Sequence, residues 1–198
     1  MPSRSVEFFG QQFDRQIALG DYGLNPFETL ALEHLKGRVL DLGCGLGNLS
    51  LAAAKAGASV VALDACDNAV ADLQRRAEDL GLDITVRQAD LRGWRSRETF
   101  DAVACIGLLM FFDREDALGG LHAVRDAVEP GGVAVVNVLV EGTTFGDFFD
   151  ARGHHLFTRD ELLAPFAGWE RLALREDDFP APGGTVKRFL TLIARRPG

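Results

Sequence analysis

The segment Val39-Leu40-Asp41-Leu42-Gly43-Cys44-Gly45-Leu46-Gly47-Asn48 carries the densest chemistry-bearing pattern in the chain. Its three alternating glycines fall where an apolar run gives way to a helical one. Lacking a Cβ, glycine lets backbone approach a ligand closely, and the unpaired N–H groups of a helix start favour an anionic group. That spacing suits a nucleotide-like ligand, although a tight structural turn would use the same residues. The dinucleotide fingerprint GxGxxG would need glycine at position 48, where Asn48 stands. Two more carboxylates follow apolar runs. Asp64 comes after Ser59 to Leu63, placed to accept hydrogen bonds from both hydroxyls of a ribose; alone, it would read as a charge at a helix N-terminus. Asp90 comes after Ile84 to Gln88. Acidic residues at three successive strand ends are hard to explain as scattered surface charge.

The elements that would position these groups alternate between short apolar runs and helical patterns, as in βαβ units around a parallel sheet. Strands are expected at Arg38 to Leu42, Ser59 to Leu63, Ile84 to Gln88, Phe100 to Ile106 and Val133 to Val140. The last is nearly all apolar, as a strand covered on both faces should be. Helices are expected at Leu46 to Ala56, from Asp67 to a stop at Gly81, and at Arg114 to Val128, capped by Asp113 and ended by Pro130-Gly131-Gly132. Before the first strand, Val6 to Leu19 and Pro26 to Leu35 look helical, with Asn25 as cap. After the fifth, Gly142 to His155 has neither periodicity and reads as a loop near the site. Thr158 and Glu161 form a capping-box pattern. Trp169 to Leu174 and Arg188 to Ala194, joined by the Pro/Gly-rich Phe179 to Gly184, could close the sheet as an antiparallel pair.

At 198 residues with 47% hydrophobic content, the chain suits one domain with a well-filled core. Its net charge of -8, without a segregated basic patch, argues against nucleic acid as partner. No apolar run approaches the roughly 20 residues that span a bilayer, so no membrane association is expected. Cys44, Cys66 and Cys105 lack CxxC spacing, which excludes a disulfide framework or zinc site and fits a cytoplasmic setting. No His/Cys/carboxylate cluster has metal-ligand spacing.

Asp-x-Gly-x-Gly-x-Gly at 41–47 resembles motif I of class I methyltransferases. Phe100-Asp101-Ala102-Val103 resembles their motif IV, and Glu129-Pro130-Gly131-Gly132 their turn before the fifth strand. Gly168-Trp169-Glu170-Arg171, Lys187-Arg188-Phe189, Leu109-Met110-Phe111 and Asp21-Tyr22 are similar to the tellurite-resistance methyltransferases. The likeness departs at Asp178 to Gly184, which puts tellurite itself in doubt as substrate. The resemblance implies an α/β, Rossmann-like, doubly wound and mostly parallel seven-stranded sheet in a single domain, with an antiparallel C-terminal strand pair. Residues 1–36 would form a helical cap over the active site and 37–198 the core. S-adenosyl-L-methionine would be bound by Asp41, Gly43, Cys44, Gly45 and Gly47, by Asp64 with Ala65, by Asp90 and Leu91 at the adenine, and by Ile106. Run 108 to 112 would sit beside the transferable methyl group.

On the acceptor side four residues stand out. Tyr22 could steady the sulfonium through its ring or hydroxyl, or simply pack the N-terminal helices. Arg188 could hold an oxyanion or carboxylate by paired hydrogen bonds, or be an edge-strand charge. His154 and His155 could supply a base, or be solvated. Lys187, one residue before Arg188, should point to the opposite face. The reaction implied is in-line methyl transfer to a small molecule, such as a chalcogen oxyanion, thiol or small anion, by a monomer or homodimer. The rival readings are a regulatory module that binds the same cofactor without turnover, and an NAD(P)-dependent oxidoreductase.

Overall fold

The computed structural model describes residues 4–146, 149 and 153–198; part of the expected loop 142–155 thus lies outside the described residues. Seven strands form one sheet: β1 (Arg38–Leu42), β2 (Ser59–Asp64), β3 (Ile84–Gln88), β4 (Phe100–Ile106), β5 (Val128–Leu139), β6 (Glu170–Ala181) and β7 (Thr185–Arg195). Their order is β3-β2-β1-β4-β5-β7-β6. The first five run parallel, and β7 pairs antiparallel with β5 and with β6.

Both faces of the central strands are buried, and alternate residues feed opposite cores. Leu40, Leu42, Val103 and Val136 meet Leu121 and Val124 of α5 (Arg114–Asp126) together with Phe157 and Leu162. Val39, Val60, Ala104 and Val135 meet Ala31 of α2 (Pro26–Leu32), Leu49 and Ala53 of α3 (Asn48–Lys55), and Leu73 and Ala77 of α4 (Asp67–Asp79). The N-terminal helix α1 (Arg4–Leu19) lies on α4, its stripe Val6, Phe9, Phe13 and Ile17 packing against Leu46, Cys66 and Ala69.

Caps sit where side-chain chemistry requires them. The Asn25 side chain accepts from Phe27 N and Glu28 N at α2, with Pro26 in the first turn, and Asp113 accepts from Asp116 N at α5. Thr158 and Glu161 close a capping box on α6 (Arg159–Leu163). Several boundaries differ from the sequence expectation: α2 ends at Leu32 and not at Leu35, α3 runs from Asn48 to Lys55 inside the expected Leu46 to Ala56, and the strands show two larger shifts. β5 begins at Val128, because Phe100 pairs with Val128 and the Pro130-Gly131-Gly132 stretch is taken up in a register shift before Ala102 pairs with Val133. The C-terminal hairpin is longer than expected: Phe179 and Pro180 belong to β6, and the turn shrinks to Pro182–Gly184. The Phe179 ring packs against Phe27 and Phe189 at 5.6 and 5.8 Å, which draws that segment into the sheet.

Gly47 shows how tightly the β1–α3 turn is drawn. Its φ is +68°, and a Cβ there would lie 2.3 Å from the Leu73 side chain, which is fully buried. Gly57 has φ +97° and open space around it. Gly47→Ala should therefore cost more than Gly57→Ala by about 1–3 kcal/mol, the usual penalty of overpacking a core, in urea denaturation of the two variants.

Candidate functional site

A cavity of about 1080 Å³ opens at the carboxyl ends of the parallel strands. It straddles β1 and β4, between which the direction of winding reverses; crevices at such switch points hold ligands in open α/β sheets. Its floor is the glycine turn. Gly43 N and Cys44 N donate to the Leu63 carbonyl, at 2.8 and 3.1 Å. Asp64 then accepts from Gly45 N and Cys66 N, both at 2.8 Å, so one carboxylate ties the β1 turn to the β2 turn. A Cβ on Gly43 would come within 3.0 Å of Leu108, and one on Gly45 within 3.0 Å of Phe13. The turn is thus a cradle that only glycine leaves open.

Gly43, Cys44, Gly45, Gly47, Asp64, Ala65, Asp90, Leu91 and Ile106 all line this cavity. Asp41 does not: it lies beneath the turn, buried, and its carboxylate accepts from Ser50 Oγ at 2.6 Å. Burial pushes the Asp41 carboxyl up to about 7 against the opposing Ser50 hydrogen bond, with the negative charges of Glu28 and Asp64 adding to the rise. Glu28 of α2 also lines the cavity, and burial raises its carboxyl as well. Asp90 is gripped by Arg92, whose Nε and Nη2 donate at 3.0 and 2.6 Å and hold the carboxyl below its usual range. The thiol pKa of Cys44 rises with burial and that of Cys66 is pushed up to about 12, so neither is a thiolate nucleophile at neutral pH.

None of the four acceptor-side candidates lines the cavity. The Tyr22 ring lies under the Arg76 guanidinium at 4.0 Å, its hydroxyl 3.4 Å from Asp72, which pins the N-terminal segment to α4. Arg188 is held by Asp178 through two hydrogen bonds of 2.8 Å on the exposed face of the hairpin. His155 Nε2 lies 3.0 Å from Glu161, and the His154 ring stacks on Phe149 at 4.5 Å. The side chains at the cavity are instead Phe9, Gln12, Phe13 and Gln16 of α1, Phe27 of α2, Asn137 of β5, and Lys187 and Phe189 of β7. Lys187 and Arg188 do face opposite ways, but register places Lys187 inward: Leu139 pairs with Phe189 and Asn137 with Thr191, and residue 187 shares their face. The sequence reading named only a helix over Val6 to Leu19; the signal for Phe9 and Phe13 is the helical stripe Val6, Phe9, Phe13 and Ile17, which does not include Gln12 and Gln16.

Residues 39–132 match the methyltransferase domain family. The chain is 34% identical over 131 residues to a ubiquinone biosynthesis O-methyltransferase of Dinoroseobacter shibae, covering 63% of this chain and 49% of that one. It is 26% identical over 166 residues to a probable S-adenosyl-L-methionine-dependent methyltransferase, TehB, of Haemophilus influenzae, covering 80% and 57%. The solved TehB structure from H. influenzae superposes with a TM-score of 0.76 at 22% identity, over 87% of this chain and 62% of that one. The matches span about half the length of these two curated relatives. Among the described residues no helix is long and apolar enough to cross a membrane.

The buried Asp41 has a consequence for pH. A carboxyl with a higher pKa folded than unfolded holds its proton more tightly in the native state, so its contribution to stability falls as pH rises from 3.8 to about 7 and stays lost above. Asp41→Asn keeps an acceptor for Ser50 and removes the charge. Melting curves at pH 5 and pH 8 should show the wild type losing stability relative to Asp41→Asn as pH rises; an unchanged difference would mean that the Asp41 carboxyl titrates as in the unfolded chain.

Proposed function

We propose that the chain, whose residues 39–132 match the methyltransferase domain family, is a class I S-adenosylmethionine-dependent methyltransferase that methylates a small molecule. The observation that carries this reading is that the glycine cradle, Asp64 and Asp90, from three successive strand ends, border one cavity. Its volume of about 1080 Å³ lies at the upper end of single-ligand sites, which run to roughly 1,000 Å³, and leaves room for an acceptor beside the cofactor. The bound cofactor supplies an activated methyl group on a sulfonium.

The protein's part is to bind, orient and exclude water. Asp64 takes the ribose hydroxyls, with Ala65 beside it, and Asp90 and the Leu91 N–H take the adenine. Gly43, Cys44, Gly45 and Gly47 let the backbone close on the amino-acid moiety, while Asp41 lies buried beneath the turn as a counter-charge. Ile106 flanks the reacting carbon, and residues 4–36 cover the site through Phe9 and Phe13. The acceptor sits across β4, over β5 and β7, where Lys187 in place of Arg188 meets an anion such as a chalcogen oxyanion, thiolate or small carboxylate. Such a nucleophile arrives ionised and needs no base, so it is no obstacle that His154 and His155 do not line the cavity. The attacking atom bonds to the methyl carbon as the carbon–sulfur bond breaks, with its electron pair left on sulfur. Three buried free thiols, Cys44, Cys66 and Cys105, support a cytoplasmic setting.

Three measurements test this. S-adenosylmethionine or its demethylated product at about 100 times its Kd should add about 2.7 kcal/mol of stability on heating, whereas NAD and NADP should add none; a shift with NAD alone would falsify the assignment. Asp64→Ala should weaken that binding by about 1.5–3 kcal/mol per charge-assisted bond lost, as read by calorimetry on the folded variant. In an acceptor screen of tellurite, selenite, thiols and small carboxylates scored by S-adenosylhomocysteine release, Lys187→Ala should lower turnover and Arg188→Ala should leave it near wild type. The reverse result would return the acceptor to the outer face of the hairpin.

A further inference from the structure

Between Val135 and Leu139 on β5 and between Phe189 and Ile193 on β7, the face that walls the acceptor end is apolar except at one cross-strand pair. Val135 and Ile193 lie on one side of it, Leu139 and Phe189 on the other, and between them Asn137 pairs with Thr191. Both are buried, at 1% and 0% exposure. Asn137 Nδ2 donates to Thr191 Oγ1 at 2.9 Å, which accounts for one head of the amide. Among the described residues no group donates to Asn137 Oδ1. Because the Thr191 hydroxyl can either donate or accept, the amide keeps one head without a partner whichever way it is turned. An apolar pair of the same shape would fill the site with no orphan, and a buried polar atom without a partner opposes folding. Asn137 therefore carries a cost that the fold does not require.

The orphan belongs to a residue of the cavity wall. Asn137 lines it, next to Ile106 in register and bonded through its carbonyl to Gly107 N at 3.0 Å. It lies across β4 from the glycine turn, on the half of the sheet away from Asp64 and Asp90. Around it the wall is aromatic, from Phe27, Phe111 and Phe189, with Lys187 at the same end over the Phe145 ring at 4.6 Å. We infer that Asn137 is a specificity-determining residue: it recognises an O–H or N–H on a flat, largely apolar acceptor whose anionic substituent faces Lys187. This rests on the methyl-transfer reading and narrows its acceptor. A molecule without a donor leaves the Asn137 head unpaired in the closed complex, and a site built to hydrogen-bond a hydroxyl rejects the analogue lacking it.

The test uses the full chain saturated with S-adenosylhomocysteine and two probes, 4-hydroxyphenylacetate and phenylacetate, which differ only in the donor. Wild type should bind the hydroxylated probe at least tenfold more tightly by calorimetry. Asn137→Leu with Thr191→Val should lose that preference, bind S-adenosylhomocysteine as wild type does, and melt at or above the wild-type temperature. Asn137→Ser, with Thr191 kept, gives the same affinity readout if the apolar pair does not fold. A wild type that binds the two probes equally, or neither, overturns the proposal, as does a preference that survives in the variants. Failure of the wild type to bind S-adenosylhomocysteine would instead strike the methyl-transfer reading beneath it.

Discussion

One carboxylate accepting two backbone N–H groups holds the site together. Asp64 receives Gly45 N and Cys66 N, while the Leu63 carbonyl beside it receives Gly43 N and Cys44 N, so two neighbouring strand ends are locked in one geometry. Charge-assisted bonds of this kind are about twice as strong as neutral ones. The glycines accept the resulting left-handed backbone, the turn delivers the chain into α3, and α3 and α4 pack on one face of the sheet through Leu49, Ala53, Leu73 and Ala77. The turn and the core beneath it are therefore set by the same contacts.

The sheet order then divides the cavity into two chemically different halves. Over β1, β2 and β3 the lining is glycine, backbone amide and carboxylate; over β5 and β7 it is aromatic, with an amide and an ammonium. Above about pH 7 Asp41 adds a negative charge under the first half, at a cost in stability that its Ser50 hydrogen bond only partly offsets. Native structures accept such costs where a ligand supplies the compensation. Asp90, at the end of β3, is already engaged, since Arg92 holds both of its oxygens.

The parallel strands and the cavity lining over β1, β2 and β3 were legible because each depends on local pattern: an apolar run, a glycine turn, an acid at the strand end. β1 and β3 have the boundaries that the apolar runs predicted. The lining over β5 and β7 was not legible, because it depends on register. Alternation separates Lys187 from Arg188, but only the pairing of Leu139 with Phe189 says which of them faces inward. Asn137 sat unnoticed in an apolar run for the same reason: nothing local distinguishes a strand residue that meets a cavity from one that meets a helix. Tyr22 drew attention through the resemblance at Asp21-Tyr22, and His154 and His155 through their place in the loop after the fifth strand; the structure gives each a local partner in Asp72 and Arg76, Phe149, and Glu161.

The long C-terminal hairpin has a second consequence, for how the molecule behaves in a crowd. β6 and β3 are the two margins of an open sheet, and an unpaired margin is a template on which another chain can add a strand. On β6, Glu170, Arg171, Arg175, Glu176 and Asp178 stand exposed, and Pro180 offers no N–H to a newcomer. The opposite margin is five residues long and ends in the exposed pair Arg87 and Gln88. The hairpin whose inner strand walls the cavity thus turns an aggregation-resistant edge outward, and the protein can keep an unclosed seven-stranded sheet without recruiting its neighbours into it.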